Sequence, residues 1–179
     1  MTDIKTREPN VILVDSNDQP VGIAGKLEAH QKNWCHRAFS ICLTRNEGSE
    51  ILLQQRHPDK YHCGSLWSNA CCSHPAPGDH LATSARKRLK FEMGIDHKQL
   101  QHIGAFYYQA TLSDTLSEHE FDHVFHGVFE PDDCLFNKTE VIAIQWIHRS
   151  DLDRALQTHP EHYTPWLPQL LALLYQNIN

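Results

Sequence analysis

The stretch NACCSHPAPGD, residues 69–79, sets two thiols and an imidazole within four positions of one another. Adjacent cysteines rarely reach the Cα separation and Cβ alignment of an unstrained bridge. Cys71 and Cys72 are therefore not read as a disulfide, and a thiol whose pKa is tuned can move protons. A second concentration is EHEFDH, residues 118–123. HEFDH matches H-E-x-x-H, a zinc-protease pattern that works only where a helix puts both histidines one turn apart on one face. The overlapping FDHVFHGVF is rich in Phe and Val and has period two, which is a strand pattern. At about 3.3 Å per residue, His119 and His123 then stand roughly 13 Å apart and cannot share an ion. The same geometry puts Glu118 and Glu120 on one face, about 7 Å apart along the chain. Two carboxylates converging at a strand end can hold a divalent ion, and one can also move protons. Taken alone, the pair reads as a solvated strand edge.

The chain that must position these groups has 179 residues, 40% of them hydrophobic, enough for one domain with one core. Its formal charge of −6 argues against a nucleic-acid binder held through phosphates, while leaving room for a local basic pocket that takes a small anion. No apolar run is long enough to span a bilayer, and the polar start MTDIKTREPN has no signal-peptide core. Six cysteines (Cys35, Cys42, Cys63, Cys71, Cys72 and Cys134) without a C-x-x-C are expected to be free thiols in a reducing, cytoplasmic setting. The 14 histidines invite a search for a metal site, although most would be surface or satisfied residues.

The patterning predicts strands at NVILVD (10–15), HRAFSICLT (36–44) and EILLQQR (50–56), the last two joined by the turn-rich RNEGS. In HRAFSICLT, Phe39, Ile41 and Leu43 share one face, which is expected to be the core. LWSNACC reads as short and extended, and residues 57–65 as polar and irregular. A helix should start from Asp79 as N-cap, bury Ala82, Ala85, Leu89 and Met93, and stop at Gly94. Residues 102–111, 121–129 and 140–148 are β-rich. SDLDRAL and PWLPQLLALLYQN read as two closing helices. The expected fold class is mixed α/β, with helices packed on a mixed sheet in a single domain.

The segment KRLKFEMGI (87–95) resembles the end of a Nudix box, R-E-U-x-E-E-x-G-U with U apolar. Aligned on Gly94, Lys87 stands for the Arg, Arg88 for the first Glu and Phe91 for the second, and only Glu92 keeps its carboxylate. Hydrolysis needs several carboxylates there to hold the metals that activate water. One survivor could hold a single Mg²⁺ against a diphosphate. With GKLEAH (25–30), HRAFS (36–40), ILLQQR (51–56), NACCSHP (69–75), KFEMG (90–94), EHEFDH (118–123) and YTPWLPQ (163–169), the chain resembles type I isopentenyl diphosphate isomerases, metal-dependent enzymes on the Nudix fold.

The resemblance implies isomerisation of isopentenyl to dimethylallyl diphosphate by protonation and deprotonation, and residues 1–179 as one Nudix-like domain. It implies that Cys72 and Glu120 handle the protons, with Tyr108 helping near the glutamate and Trp166 facing the developing cation. It implies one divalent ion, zinc or manganese, on His30, His36, His74, Glu118 and Glu120. Mg²⁺ would bind with the diphosphate on Glu92 and the Cys72 backbone carbonyl, and Lys26, Arg56, Lys60 and Arg88 would hold the phosphates. The expected partner is the small-molecule substrate alone, with no nucleic acid or membrane, in a monomer or weak homodimer. Cys71 is expected to be a small packed residue. Competing readings are a Nudix diphosphohydrolase, a zinc peptidase if HEFDH were helical, and a non-catalytic metal-binding module.

Overall fold

A computed structural model describes residues 9–178. In chain order the elements are β1 (Asn10–Val14), β2 (Pro20–Gly25), α1 (Lys26–Gln31), β3 (His36–Arg45), β4 (Glu50–Arg56), β5 (Trp67–Asn69) and β6 (Cys71–Ser73). They continue with α2 (Leu81–Met93), β7 (Gln101–Thr111), β8 (Ser117–Val128), β9 (Val141–His148), α3 (Arg149–Thr158), a 3₁₀ turn (Pro160–His162) and α4 (Leu167–Asn177). Strand β3 is the hub of the sheet. It pairs antiparallel with β1, β4 and β6, and parallel with β8, which in turn pairs antiparallel with β7.

The expected mixed α/β fold is what forms, with helices on both sides of the sheet. Helix α2 buries Ala85, Leu89 and Met93 against Phe39, Ile41 and Leu43. Helix α4 buries Leu167, Leu170, Leu171 and Leu174 in a second cluster that includes Cys42 and Val124. Phe39, Ile41 and Leu43 form the expected core face of β3, and its other face is buried as well. Residues 38–44 are buried throughout: on the other face Cys42 packs in the α4 cluster, Ser40 bonds Asp122 and Thr44 bonds His126. Helix α2 ends as expected: Gly94 adopts φ +68° and its N–H bonds the Lys90 carbonyl. A Cβ there would lie 2.4 Å from the Leu135 carbonyl oxygen, so glycine is required for space as well as for φ. Its start is corrected. His80 occupies the N-cap position, and Asp79 instead accepts a hydrogen bond from Ser84 Oγ at 3.0 Å.

Two elements had no signature in the sequence. β2 pairs with β1, and the six-residue α1 follows it immediately. α1 is too short for helical periodicity to show, yet it sets Lys26 and His30 one turn apart on one face. HEFDH lies within strand β8, which removes the helical geometry the peptidase reading needs. His119 bonds the Asn33 carbonyl and His123 bonds Asp18, so the two histidines serve different neighbours.

Candidate active site

The parallel register of β3 and β8 sets His36 beside Glu120, and the β7–β8 register sets Tyr108 on the other side of Glu120. Glu118 follows on the same face of β8. His30 comes from α1 and His74 from just beyond β6. His30 Nδ1 donates to the Lys26 carbonyl at 2.7 Å, and His36 Nδ1 to the Trp34 carbonyl at 2.8 Å. A carbonyl can only accept, so both rings carry a proton on Nδ1 and can turn an Nε2 lone pair toward the carboxylates.

His74 Nε2 lies 2.8 Å from Glu120 Oε1 and 3.2 Å from His36 Nε2. His30 Nε2 and Glu118 Oε2 stand 3.3 Å apart, and neither makes a hydrogen bond among the described residues. Ligand atoms of His30, His36, His74 and Glu120 all fall within 4.8 Å of one another, and so do those of His30, His62 and Glu118. Buried acceptors that face acceptors are costly unless something positive joins them. This donor set therefore fits a divalent cation, with imidazole and carboxylate as its ligands. A proton competes for the same nitrogens. Burial lowers the His30 pKa, but the adjoining Glu118 carboxylate outweighs it and holds the ring above its ordinary value. Burial, with Lys26 and the other histidines, holds His74 well below its ordinary value and so neutral.

Next to this cluster is a cavity of about 290 Å³ whose lining includes Cys72, His74, Glu118, Glu120 and Trp166. Strand β6 points its two cysteines to opposite faces. Cys71 packs in the α2 core, as expected, while Cys72 reaches the cavity. Arg56 Nη1 lies 3.5 Å from Cys72 Sγ. Burial pushes that thiol up to about 11 even though the guanidinium pulls the other way, so Cys72 is a neutral thiol near pH 7. Trp166 donates from its indole to Asn69 Oδ1 at 3.1 Å, which fixes the ring. Tyr108 is 6% exposed and its hydroxyl is unpartnered among the described residues, but it does not line the cavity.

All four expected phosphate-binding cations, Lys26, Arg56, Lys60 and Arg88, line the same cavity. Burial depresses the Lys26 pKa, with Glu118 and Glu120 opposing the shift. Arg56 bonds the carbonyls of His62 and Cys63, which holds the loop after β4 in place. Glu92 is buried behind the cavity lining: Oε1 accepts from Arg88 at 2.7 Å and Lys60 at 3.4 Å, and Oε2 from Gln54 at 3.0 Å. Glu140 binds the same two cations, with Oε2 at 2.6 Å from Lys60 and 2.9 Å from Arg88.

Residues 34–170 match the NUDIX domain family. A protein of Deinococcus radiodurans superposes with a TM-score of 0.71 at 15% identity, covering 93% of this chain and 97% of that one. A MutT NUDIX hydrolase from Burkholderia pseudomallei superposes with a TM-score of 0.60 at 13% identity, covering 78% and 98%. At these identities the likeness concerns the fold alone. Sequence relatives are much nearer. Isopentenyl-diphosphate Delta-isomerase 2 of Photorhabdus laumondii is 41% identical over 94% of both chains. The isopentenyl-diphosphate Delta-isomerase of Photobacterium profundum is 39% identical over 96% of this chain and 97% of that one. The chain belongs to the isopentenyl-diphosphate Delta-isomerase family.

Set against the family expectation, the structure gathers His30, His36, His74 and Glu120 into one group and sets Glu118 beside it through His30. It brings Cys72, Trp166 and the four cations to one cavity, and leaves Glu92 and Tyr108 behind the wall. Two residues escaped the sequence reading. His62 lies in the irregular loop, where a single histidine has no spacing to mark it. Glu140 sits in the turn before β9 like any surface acid, and only its contacts with Lys60 and Arg88 reveal it.

Proposed function

We propose that this cavity converts isopentenyl diphosphate to dimethylallyl diphosphate, adding a proton at the terminal alkene carbon and removing one from C2. The observation that carries the proposal is the placement of Cys72 and Glu120. They reach one cavity from β6 and β8, two strands that both pair with β3. The reaction is reversible, so each group must give and take a proton in turn. A neutral thiol beside a guanidinium suits that role better than the role of covalent nucleophile. Tyr108, next to Glu120 in register, would support the carboxylate through a hydroxyl that has no partner among the described residues. The tertiary cation between the two proton transfers needs a wall that stabilises charge without being alkylated. The Trp166 ring supplies it by about 2 kcal/mol when desolvated. Lys26, Arg56, Lys60 and Arg88 anchor the diphosphate, Arg through bidentate contacts and Lys as point charge.

When bound, a zinc or manganese ion on His30, His36, His74, Glu118 and Glu120 would orient Glu120 and tune its acidity, and Mg²⁺ on Glu92 and the Cys72 carbonyl would neutralise phosphate charge. Diphosphate hydrolysis is disfavoured because Glu92 is the one carboxylate left in the box, too few to hold the metals that activate water. The remaining parts of the reading are one domain over residues 1–179, a cytoplasmic setting, a small-molecule substrate without nucleic acid or membrane, and a monomer or weak homodimer. Among the described residues no helix is long and apolar enough to cross a membrane.

The test is incubation of the full chain with isopentenyl diphosphate and Mg²⁺ in D₂O, followed by NMR. Dimethylallyl diphosphate carrying deuterium, lost after chelation and restored by metal, is the expected result. No product from folded, metal-loaded protein would overturn the proposal.

A further inference from the structure

The buried donors around Glu118 number one more than the expected metal set. His62 turns Nδ1 toward Glu118 Oε1 at 3.1 Å, and its side chain is 8% exposed. That separation would suit a hydrogen bond, but the direction does not, and His62 Nδ1 is unpartnered among the described residues. His30 Nε2 and Glu118 Oε2 share this condition. Three buried polar atoms from three separate elements thus converge without partners. His30 has one nitrogen committed to the Lys26 carbonyl, so it can offer a lone pair to a single ion. The group His30–His62–Glu118 and the group His30–His36–His74–Glu120 share that nitrogen and must belong to one centre.

The loop is built to hold the His62 ring inward. Gly64 packs so tightly that a Cβ would lie 2.5 Å from the Pro58 carbonyl oxygen, and Arg56 bonds the carbonyls of both His62 and Cys63. Cys63 sits at φ +51°, a left-handed conformation that non-glycine residues hold only when their surroundings impose it.

We propose that His62 is a further ligand of the divalent centre, entering through Nδ1 beside His30 and Glu118, so that four imidazoles surround the ion. The inference rests on the metal-centre reading above and extends it. Lys60 lies two residues before His62, so the ion and the diphosphate share one loop. A fourth imidazole also shifts preference toward zinc, because imidazole suits zinc while manganese favours oxygen.

The test is titration of the chelator-stripped full chain with Zn²⁺ and with Mn²⁺, each in competition with a chromophoric chelator. The wild-type chain should bind one ion. His62→Ala should lose about tenfold or more in zinc affinity, the scale seen when a metal site loses a supporting group, and less in manganese affinity. His62→Asn offers an amide oxygen near the place of Nδ1. It should keep manganese affinity and lose zinc affinity, and it serves as the second variant should His62→Ala fail to fold. Unchanged affinities in both variants would overturn the proposal. So would an equal loss of both metals without recovery in His62→Asn, which would give His62 a packing role only. A wild-type chain that binds neither ion would overturn the metal centre itself, whereas normal wild-type binding with unaffected variants removes His62 alone.

Discussion

Two charged clusters meet at the cavity, and they answer their charges differently. Around Lys60, Arg88, Glu92 and Glu140, each cation touches both carboxylates and each carboxylate touches both cations. Around His30, His36, His74, Glu118 and Glu120, a single His74 nitrogen serves both Glu120 and His36, and His30 Nε2 and Glu118 Oε2 have no hydrogen-bond partner among the described residues. The first cluster is complete within the chain and can bind an anion only by exchanging partners. The second gains a partner when a cation enters. So one cavity can take opposite charges a short way apart: an ion added to an acceptor-rich site, and a diphosphate substituted into an ion-pair network.

The comparison breaks most visibly at the groups proposed to move protons. Cys72→Ala and Glu120→Gln should each lower turnover by about 10²–10⁴-fold, the range for removing a positioned acid or base. They should differ in metal binding. Glu120→Gln removes a ligand and should weaken zinc affinity, while Cys72→Ala should leave it near the wild-type value. Turnover assays paired with zinc titration read both effects. Wild-type turnover in either variant would remove that residue from the mechanism.

Next in size is Arg88→Ala. Arg88 donates Nε to Glu92 and Nη2 to Glu140, and lines the cavity. A charge-assisted phosphate contact contributes roughly 1.5–3 kcal/mol, so KM should rise about ten- to a hundredfold with kcat changed much less. Steady-state kinetics at saturating Mg²⁺ check this. A fall in kcat at constant KM would instead place Arg88 at the transition state.

The two clusters were unequally legible in the sequence. Glu118 and Glu120 could be placed on one strand face because period two is local and strong in FDHVFHGVF. The separation of Cys71 and Cys72 between core and cavity follows from the same alternation. Which histidines would join them could not be read from spacing. His30, His36 and His74 arrive from a six-residue helix, a strand start and a loop, and only the family resemblance named them. His62 and Glu140 were invisible to both routes. Their roles come from contacts between segments far apart in the chain: His62 against Glu118, and Glu140 against Arg88, 52 residues away. The burial of the second face of β3 has a similar origin. Nothing in HRAFSICLT announces that the α4 leucines, more than a hundred residues later, will pack with Cys42, or that Asp122 will bond Ser40.

The smallest expected effect is also the sharpest on the exchange argument, and it concerns Glu140. Its carboxylate neutralises the two cations, Lys60 and Arg88, that a diphosphate would use, and its backbone carbonyl accepts from His57 N at 2.9 Å. Glu140→Gln keeps the shape and the backbone contact but removes the competing charge. Binding of inorganic diphosphate without Mg²⁺ should therefore tighten, by about three- to tenfold for the loss of two partly exposed, solvent-screened pairs. Mg²⁺ should then improve binding less than it does in the wild type, because part of its benefit is to draw carboxylate charge off the cations. Calorimetry of diphosphate binding with and without Mg²⁺ measures this as a coupling between the two ligands. A carboxylate that merely braced the loop would predict the reverse sign, with weaker binding under both conditions and an unchanged ratio.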